Sequence, residues 1–435
     1  MDETCGIKKE AVDKLVFLGF LILALLIAYF ITVSKSTMVS SGPITLNYSG
    51  LSLSVPIGNG WQSEKEWNYK NNIFTLSSVF YPESDKPAAL AHCRYLLAGP
   101  DTSKDAQFEK KAAEISGIID KTGKNQLGSL TMDWAYIKNP KTLSDLFLGI
   151  IQLPNNRWLD IEVHQAAGDT HLSRQAFELI TESLRFEDNQ LLSAGSEIVA
   201  EIKSTGLDGL LSKENPRVFF LIQDTKQQTI GFTMDVLLDL SGQDNNLNIQ
   251  AAGFLYVPGQ LGHEQATLFQ GTSNLDEFAW KSETRKRSNS SGTELVLKKT
   301  GLMTVRDFNL ENKEETYQLN AAAIPDVFLE LISGRMLISS YEKIVLDLIE
   351  ADGTITPVFI SKISGQENKN YLLRMELLNR KGFFEQIYLD SDMRIYKRLL
   401  QQEGAYVLKR ADSDDILREF PERADYILQK NKMLK

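Results

Sequence analysis

The sequence predicts an α+β protein: an N-terminal transmembrane helix, then an antiparallel-sheet sandwich domain with flanking helices, then a large curved antiparallel β-sheet or half-barrel with a covering helix. Three observations carry that expectation. Residues 15–33 are uncharged and almost wholly apolar. Residues 44–188 mix short alternating runs with two helix-type periodicities, and residues 213–435 repeat strand-type runs between polar turns. The length of 435 residues suits two domains of roughly 100–200 residues each beyond the apolar run. With 43% hydrophobic and 24% charged side chains, the chain is neither collagenous nor largely disordered.

Residues 1–14 form a short stub. The 19 residues from Leu15 to Val33 pass without a charge, and as a helix they would span ~28 Å against a hydrocarbon core of ~30 Å. A cleaved signal peptide has a shorter apolar core, ~7–15 residues, ending in small side chains. Ala28-Tyr29-Phe30-Ile31 offers no such site, and a buried core helix would show a polar face. Lys8, Lys9 and Lys14 precede the run, while Lys35 is the only basic residue in the 30 positions after it. The positive-inside rule then expects a single-pass signal-anchor with a cytoplasmic amino terminus and an extracytoplasmic bulk, periplasmic or at the cell surface. Residues 34–43 read as a tether.

Within 44–188, Ile44–Tyr48, Leu51–Val55, Ile73–Tyr81 and Ala89–Leu97 read as strands. Ser103 caps a helix on which Phe108, Ala112, Ile115 and Ile119 recur at helical spacing. Leu130–Ile137, Leu146–Leu153 and Trp158–His164 follow as strands, the last two joined by the turn-forming Pro154-Asn155-Asn156-Arg157. Leu172, Ala176, Phe177, Ile180 and Leu184 mark a closing helix. This order, with Val55-Pro56 and Trp61 near its start and Ser183-Leu184-Arg185-Phe186 at its end, resembles the PsbP-like sandwich domains over residues 44–187. The resemblance implies a fold and no function, since one fold hosts unrelated roles.

Residues 189–212 are expected to link the domains by a helix, Ser193–Leu211, with Ile198, Val199 and Ile202 on one side and Gly206 as a stop. Beyond it strands are expected at Val218–Gln223, Thr229–Leu240, Ile249–Val257, Ala266–Gln270, Glu277–Glu283, Glu294–Lys299, Leu302–Phe308 and Thr316–Asn320. A helix from Pro325, with Val327, Phe328, Leu331 and Ile332 inward, comes next. Ile344–Ile349, Val358–Ile363, Leu372–Leu378, Phe383–Leu389, Ile395–Leu399 and Tyr406–Arg410 complete the series. On the second of these strands Ile230, Phe232, Met234, Val236 and Leu238 share one face. Thr229, Gly231, Thr233 and Asp235 share the other, as in a half-buried antiparallel sheet. So many antiparallel strands must curl or close. Residues 217–428 are in this respect similar to the half-barrels of LolA-type lipoprotein carriers.

Chemistry-bearing residues are sparse. Two cysteines (Cys5, Cys93) and four histidines (His92, His164, His171, His263) exclude a disulfide framework and a structural zinc cluster. The chain has no phosphate-binding Gly loop, Gly-x-Ser-x-Gly elbow, His-Glu-x-x-His helix or Cys-x-x-Cys pair. Asp160, Glu162 and His164 fall on one face of a strand, a weak candidate for a divalent metal against the plainer reading of a solvated face. His92 and Cys93 are adjacent in a strand, so they point to opposite faces and cannot form a dyad; Cys93 reads as a small core residue. Asp390-Ser391-Asp392 has Ile395 and Gln401 where a calcium loop needs glycine and glutamate, and reads as a turn. Arg285-Lys286-Arg287 reads as a solvated hairpin tip, because a net charge of −10 opposes binding to nucleic acid. Asn47-Tyr48-Ser49 and Asn289-Ser290-Ser291 are glycosylation acceptors only in a glycosylating host.

No catalytic residue, cofactor or firm metal site follows. The expected function is a membrane-anchored extracytoplasmic binding protein, non-enzymatic, its partners the membrane through residues 15–33 and an apolar ligand or partner segment in the curved sheet. Phe232, Met234, Leu255 and Phe383 are the cavity candidates. An interaction scaffold of a cell-envelope complex is the alternative, and a hydrolase using dispersed carboxylates the second. Two carboxylates of strongly shifted pKa in one pocket would favour the last.

Overall fold

The computed structural model describes Leu23 and residues 38–424, apart from 83–85, 167–169, 189, 208–216, 240–248, 259–262, 287–288, 309–312, 364–370 and 402–404. Among the described residues strand (53%) far outweighs helix (20%), so the fold is β-dominated and not α+β. The membrane expectations are corrected with it. Among the described residues no helix is long and apolar enough to cross a membrane. That overturns the transmembrane helix of the expected fold class, the single-pass signal-anchor and the localisation built on them. Of residues 15–33 only Leu23 is described, helical and 52% exposed; the remainder of that segment lies outside the described residues. An uncharged run establishes hydropathy alone, whereas a span needs a continuous helix of about 20 residues.

The first sheet has eight antiparallel strands. Their order is Ile118–Leu127, Leu130–Lys138, Asp145–Gln152, Trp158–Gln165, Ala89–Leu96, Ile73–Phe80 and Trp61–Ser63, with Asn68–Lys70 also paired to Ile73–Phe80. Helix α1, Lys104–Glu114, starts where the Ser103 side chain accepts from the Ala106 N–H at 3.2 Å. It buries Phe108 and Ala112 against Ile137, Leu146 and Leu148 on one face. Helix α2, Thr170–Ser183, packs on the opposite face, where Ala176, Phe177 and Ile180 join the core with Leu159, Ile161 and Val163. With both faces covered, Trp158–Gln165 is buried almost throughout, and its expected solvated face is not one. The helical spacing carried to Ile119 also misleads. Ser116 takes a left-handed φ of +52°, α1 stops, and Ile118–Leu127 is an edge strand.

The second sheet has sixteen strands, supplied mainly by two meanders. One runs from Arg217–Gln223 through Thr229–Asp239, Ile249–Val257, His263–Gly271, Phe278–Lys286, Asn289–Leu297 and Leu302–Asp307 to Lys313–Gln318. The other runs from Lys343–Ile349 through Ile355–Lys362, Tyr371–Leu377, Phe384–Leu389 and Ile395–Gln401 to Tyr406–Ala411. They join where Tyr406–Ala411 pairs antiparallel with Arg217–Gln223, Arg410 opposite Phe220. Ala323–Pro325 adds in parallel at one end, and Gly99–Pro100 at the other. The sheet curves until its halves meet: a Cβ on Gly353, after Lys343–Ile349, would stand 2.7 Å from the Val305 side chain of Leu302–Asp307.

Three helices pack on this sheet. Helix α3, Leu191–Thr205, lies so close to Lys343–Ile349 that a Cβ on Gly195 would stand 1.9 Å from the Val345 carbonyl oxygen. Helix α4, Leu329–Ile338, fills one end of the concave side, where the Phe328 ring preceding it meets Phe269 edge-on at 5.3 Å between centres. Helix α5, Ser413–Glu419, covers the convex side, setting Ile416 and Phe420 over Phe219, Phe232, Met234 and Phe254.

One apolar core runs through both sheets, from Leu76 and Ile161 to Phe269 and Leu373. A buried ion pair crosses it. Arg157 donates to both oxygens of Asp347 at 2.7 Å and to the Tyr95 hydroxyl at 2.9 Å. The Asn320 amide donates to the same carboxylate and, at 3.0 Å, to the Leu97 carbonyl.

Candidate functional site

The register decides which side chains share the concave face. Asp235, Gly253, Thr267, Ser282 and Thr293 are successive cross-strand partners, a polar row crossing five strands. The next row in one direction, Leu237, Ala251, Phe269, Trp280 and Leu295, is apolar and belongs to the core with Phe328 and Leu329. In the other direction come Thr233, Leu255, Gln265 and Thr284. A register shift beside Ile222 inserts Ile230 as an extra residue, and Ile230 lines the concave side together with Thr233.

Two adjoining cavities result. One, about 990 Å³, is lined by Asp235 and Thr267 from one half of the sheet, Arg398 and Arg410 from the other, and Asp326 and Glu330 from the approach and first turn of α4. The other, about 680 Å³, is apolar, with Ile222, Ile230, Leu255, Val257, Leu400 and Leu408 around it. His263 and Lys286 line both.

Electrostatics in the larger cavity are dominated by burial. Burial, then repulsion from Glu350 and Asp235, pushes the Asp326 carboxyl up to about 8. Asp235 is pushed up to about 6 by burial, with Arg398 opposing. Asp235 is nevertheless exposed to the water of the cavity, which screens that push. Glu330 is raised by burial against the pull of Arg410, 3.9 Å away. Arg398 is committed to Glu385 at 2.8 Å.

The expected site residues scatter. Leu255 lines the apolar pocket. Phe232 and Met234 lie on the convex face beneath α5, so the expectation of one shared lining is corrected: alternation marks two faces without saying which is concave. Phe383 is buried at a turn, with the Arg380 guanidinium 5.8 Å over its ring. Asp160, Glu162 and His164 lie together, but cations already hold the carboxylates. Arg94 bonds Asp160 at 2.9 Å and also pairs with Glu162, which Lys111 approaches to 3.3 Å and His164 to 3.1 Å. Burial alone would raise Glu162; the His164 bond and the Arg94 and Lys111 charges hold it down at about 2. Among the described residues no group of three or more His, Cys, Asp or Glu is placed to hold a metal ion. Cys93 is buried in the core, its thiol pushed up to about 12 by burial. Asp390 closes its turn by accepting from the Asp392 and Arg394 N–H groups at 3.0 and 2.9 Å.

Sequence reasoning missed Asp235, Asp326, His263 and Lys286. The signal for Asp235 was present, since Thr233 and Asp235 mark a polar strand face; alternation does not say where that face points, and in the fold it lines the lumen.

No protein-family model matches the chain, and no curated protein matches it in sequence. Among solved structures it is similar to a β-barrel-like protein of the domain of unknown function DUF1849 from Brucella abortus, at 10% identity and a TM-score of 0.32, over 45% of this chain and 95% of that one. A DUF1089-family protein from Pseudomonas aeruginosa matches at 11% identity and 0.23, over 38% and 87%. A Bacteroides thetaiotaomicron protein matches at 9% and 0.22, over 55% and 85%. Scores this low carry no argument about activity. None of the three is described as PsbP-like or LolA-type. What stands is a β-rich architecture built on one large, curved sheet.

Proposed function

We propose that this chain is a non-enzymatic binding protein that holds an apolar or amphipathic ligand in the lumen of its curved sheet. One observation carries the reading: apolar side chains from five strands surround about 680 Å³ that no described side chain fills. That volume is within the ~300–1,000 Å³ range of small-molecule pockets. The bulky candidates that would have plugged it, Phe232 and Met234, face the other way. The purified chain is expected to enhance N-phenyl-1-naphthylamine fluorescence saturably, and Leu255→Arg to weaken that uptake by about tenfold or more. A wild-type protein that takes up no dye, or an undiminished Leu255→Arg, would overturn the reading.

A second reading, hydrolysis by paired carboxylates, is favoured by Asp235 and Asp326 lining one cavity with pKa values near 6 and 8. Near neutral pH one is ionised and the other protonated, the division an acid–base pair needs. Chromogenic glycosides and esters should then be cleaved by the wild type and not by Asp326→Asn. Equal rates in both, or no cleavage by either, remove it.

A further inference from the structure

We propose that the ligand of this lumen is a single-chain amphiphile with an anionic head, its chain lying in the apolar pocket and its head met by Lys286 and His263. The inference rests on the binding function above and names its ligand class.

Geometry comes first. His263 and Lys286 are direct cross-strand partners on the concave face, and they line both cavities, so they stand at the seam between the apolar pocket and the polar lumen. Among the described residues Lys286 has no hydrogen-bond or ion-pair partner, and the buried His263 Nε2 bonds to nothing. The neighbouring carboxylates are turned away by strand alternation. Glu264 pairs with Arg423 at 2.7 Å, and Glu283 is exposed on the face opposite Ser282 and Thr284. Lys286 is exposed at this rim, so its ammonium offers an unpaired positive charge that an anion at the chain's end can meet with a charge-assisted hydrogen bond.

The deeper lumen sets the position of the head. Six carboxylates line it against four arginines, of which Arg335 pairs with Glu201, Arg398 with Glu385, and Arg410 stands 3.9 Å from Glu330. An anionic head is therefore held at the seam and not drawn inward, which leaves the chain in the pocket formed by Ile222, Ile230, Leu255, Val257, Leu400 and Leu408.

Competition for bound N-phenyl-1-naphthylamine by dodecanoate, dodecanol and dodecyltrimethylammonium tests this on the full chain. Dodecanoate is expected to displace the dye at a concentration about tenfold below the other two, with the margin shrinking as salt is added. Read as the ratio of displacing concentrations within each variant, the preference for dodecanoate over dodecanol should vanish in Lys286→Gln, and Lys286→Glu should reverse it towards the cationic chain. If the three compete equally in the wild type, the head assignment falls and the lumen-binding reading survives. If the cationic chain wins, the carboxylates of the deep lumen select the head and the proposal is overturned. If the dye never binds, both fall together.

Discussion

In an Asp347→Ala variant, Arg157 keeps its charge at 3% exposure with the Tyr95 hydroxyl as its remaining hydrogen-bond partner. Burial by itself would lower the pKa of this guanidinium, but Asp347 and Tyr95 hold it above its ordinary value, so it stays charged. Removing one side of a buried pair costs about 3–5 kcal/mol, because the other charge is left uncompensated in a low-dielectric core. The Asn320 amide loses an acceptor as well, a buried-donor penalty of about 1–3 kcal/mol that overlaps the first. Against a typical stability of about 5–15 kcal/mol, a loss of about 4 kcal/mol is large. The double variant Arg157→Met with Asp347→Leu removes both charges from the same space and is expected to recover most of that loss. Urea unfolding followed by tryptophan fluorescence measures it, Trp158 being next to Arg157. An Asp347→Ala midpoint within about 1 kcal/mol of wild type, or a double variant no better than the single, would refute the view that this pair locks the two sheets.

Other expectations follow from particular contacts. The proton on Asp326 is bound more tightly in the folded chain, its pKa moved from 3.8 to about 8, so its stabilising share is complete below 3.8 and is lost as pH rises to about 8. Thermal melts should fall across that window and fall less in Asp326→Asn; identical pH profiles would show the group is not held this way. Phe232→Ala, which empties a site between Phe254 at 5.8 Å and Phe420 at 5.1 Å, should cost about 3–5 kcal/mol. Dye uptake by the folded variant should be unchanged, and its loss would place Phe232 in the lumen after all. Gly195→Ala gains up to ~1 kcal/mol of helix propensity but drives a methyl into the Val345 carbonyl. The net effect should be destabilising by about 1–3 kcal/mol, and a raised melting temperature would contradict the close approach of α3.

The elements with a buried face were legible. Thr229–Asp239, Ile249–Val257 and Leu302–Asp307 lie within a residue or so of their expected bounds, since a strand with one face in a core must alternate. Ile118–Leu127 was missed for the converse reason. It is an edge strand exposed along most of its length, so nothing selects for a period of two. The polar row was legible only in part: Thr233 and Asp235 showed as a face, while their partners Thr267, Ser282 and Thr293 come from strands about 30–60 residues away, joined by register alone.

By itself, then, the amino-acid sequence determined that this chain builds antiparallel meanders, where most strands turn, and that histidine and cysteine are few. Only the tertiary structure decided which side of Thr229–Asp239 is concave, placing Asp235 in the lumen and Phe232 under α5. It also set Lys286 beside His263 at the seam of two cavities. The reason is that side-chain alternation is symmetric between the two faces of a strand. Curvature breaks that symmetry, and curvature is a property of all sixteen strands, with the helices packed on them, and not of any one run of residues.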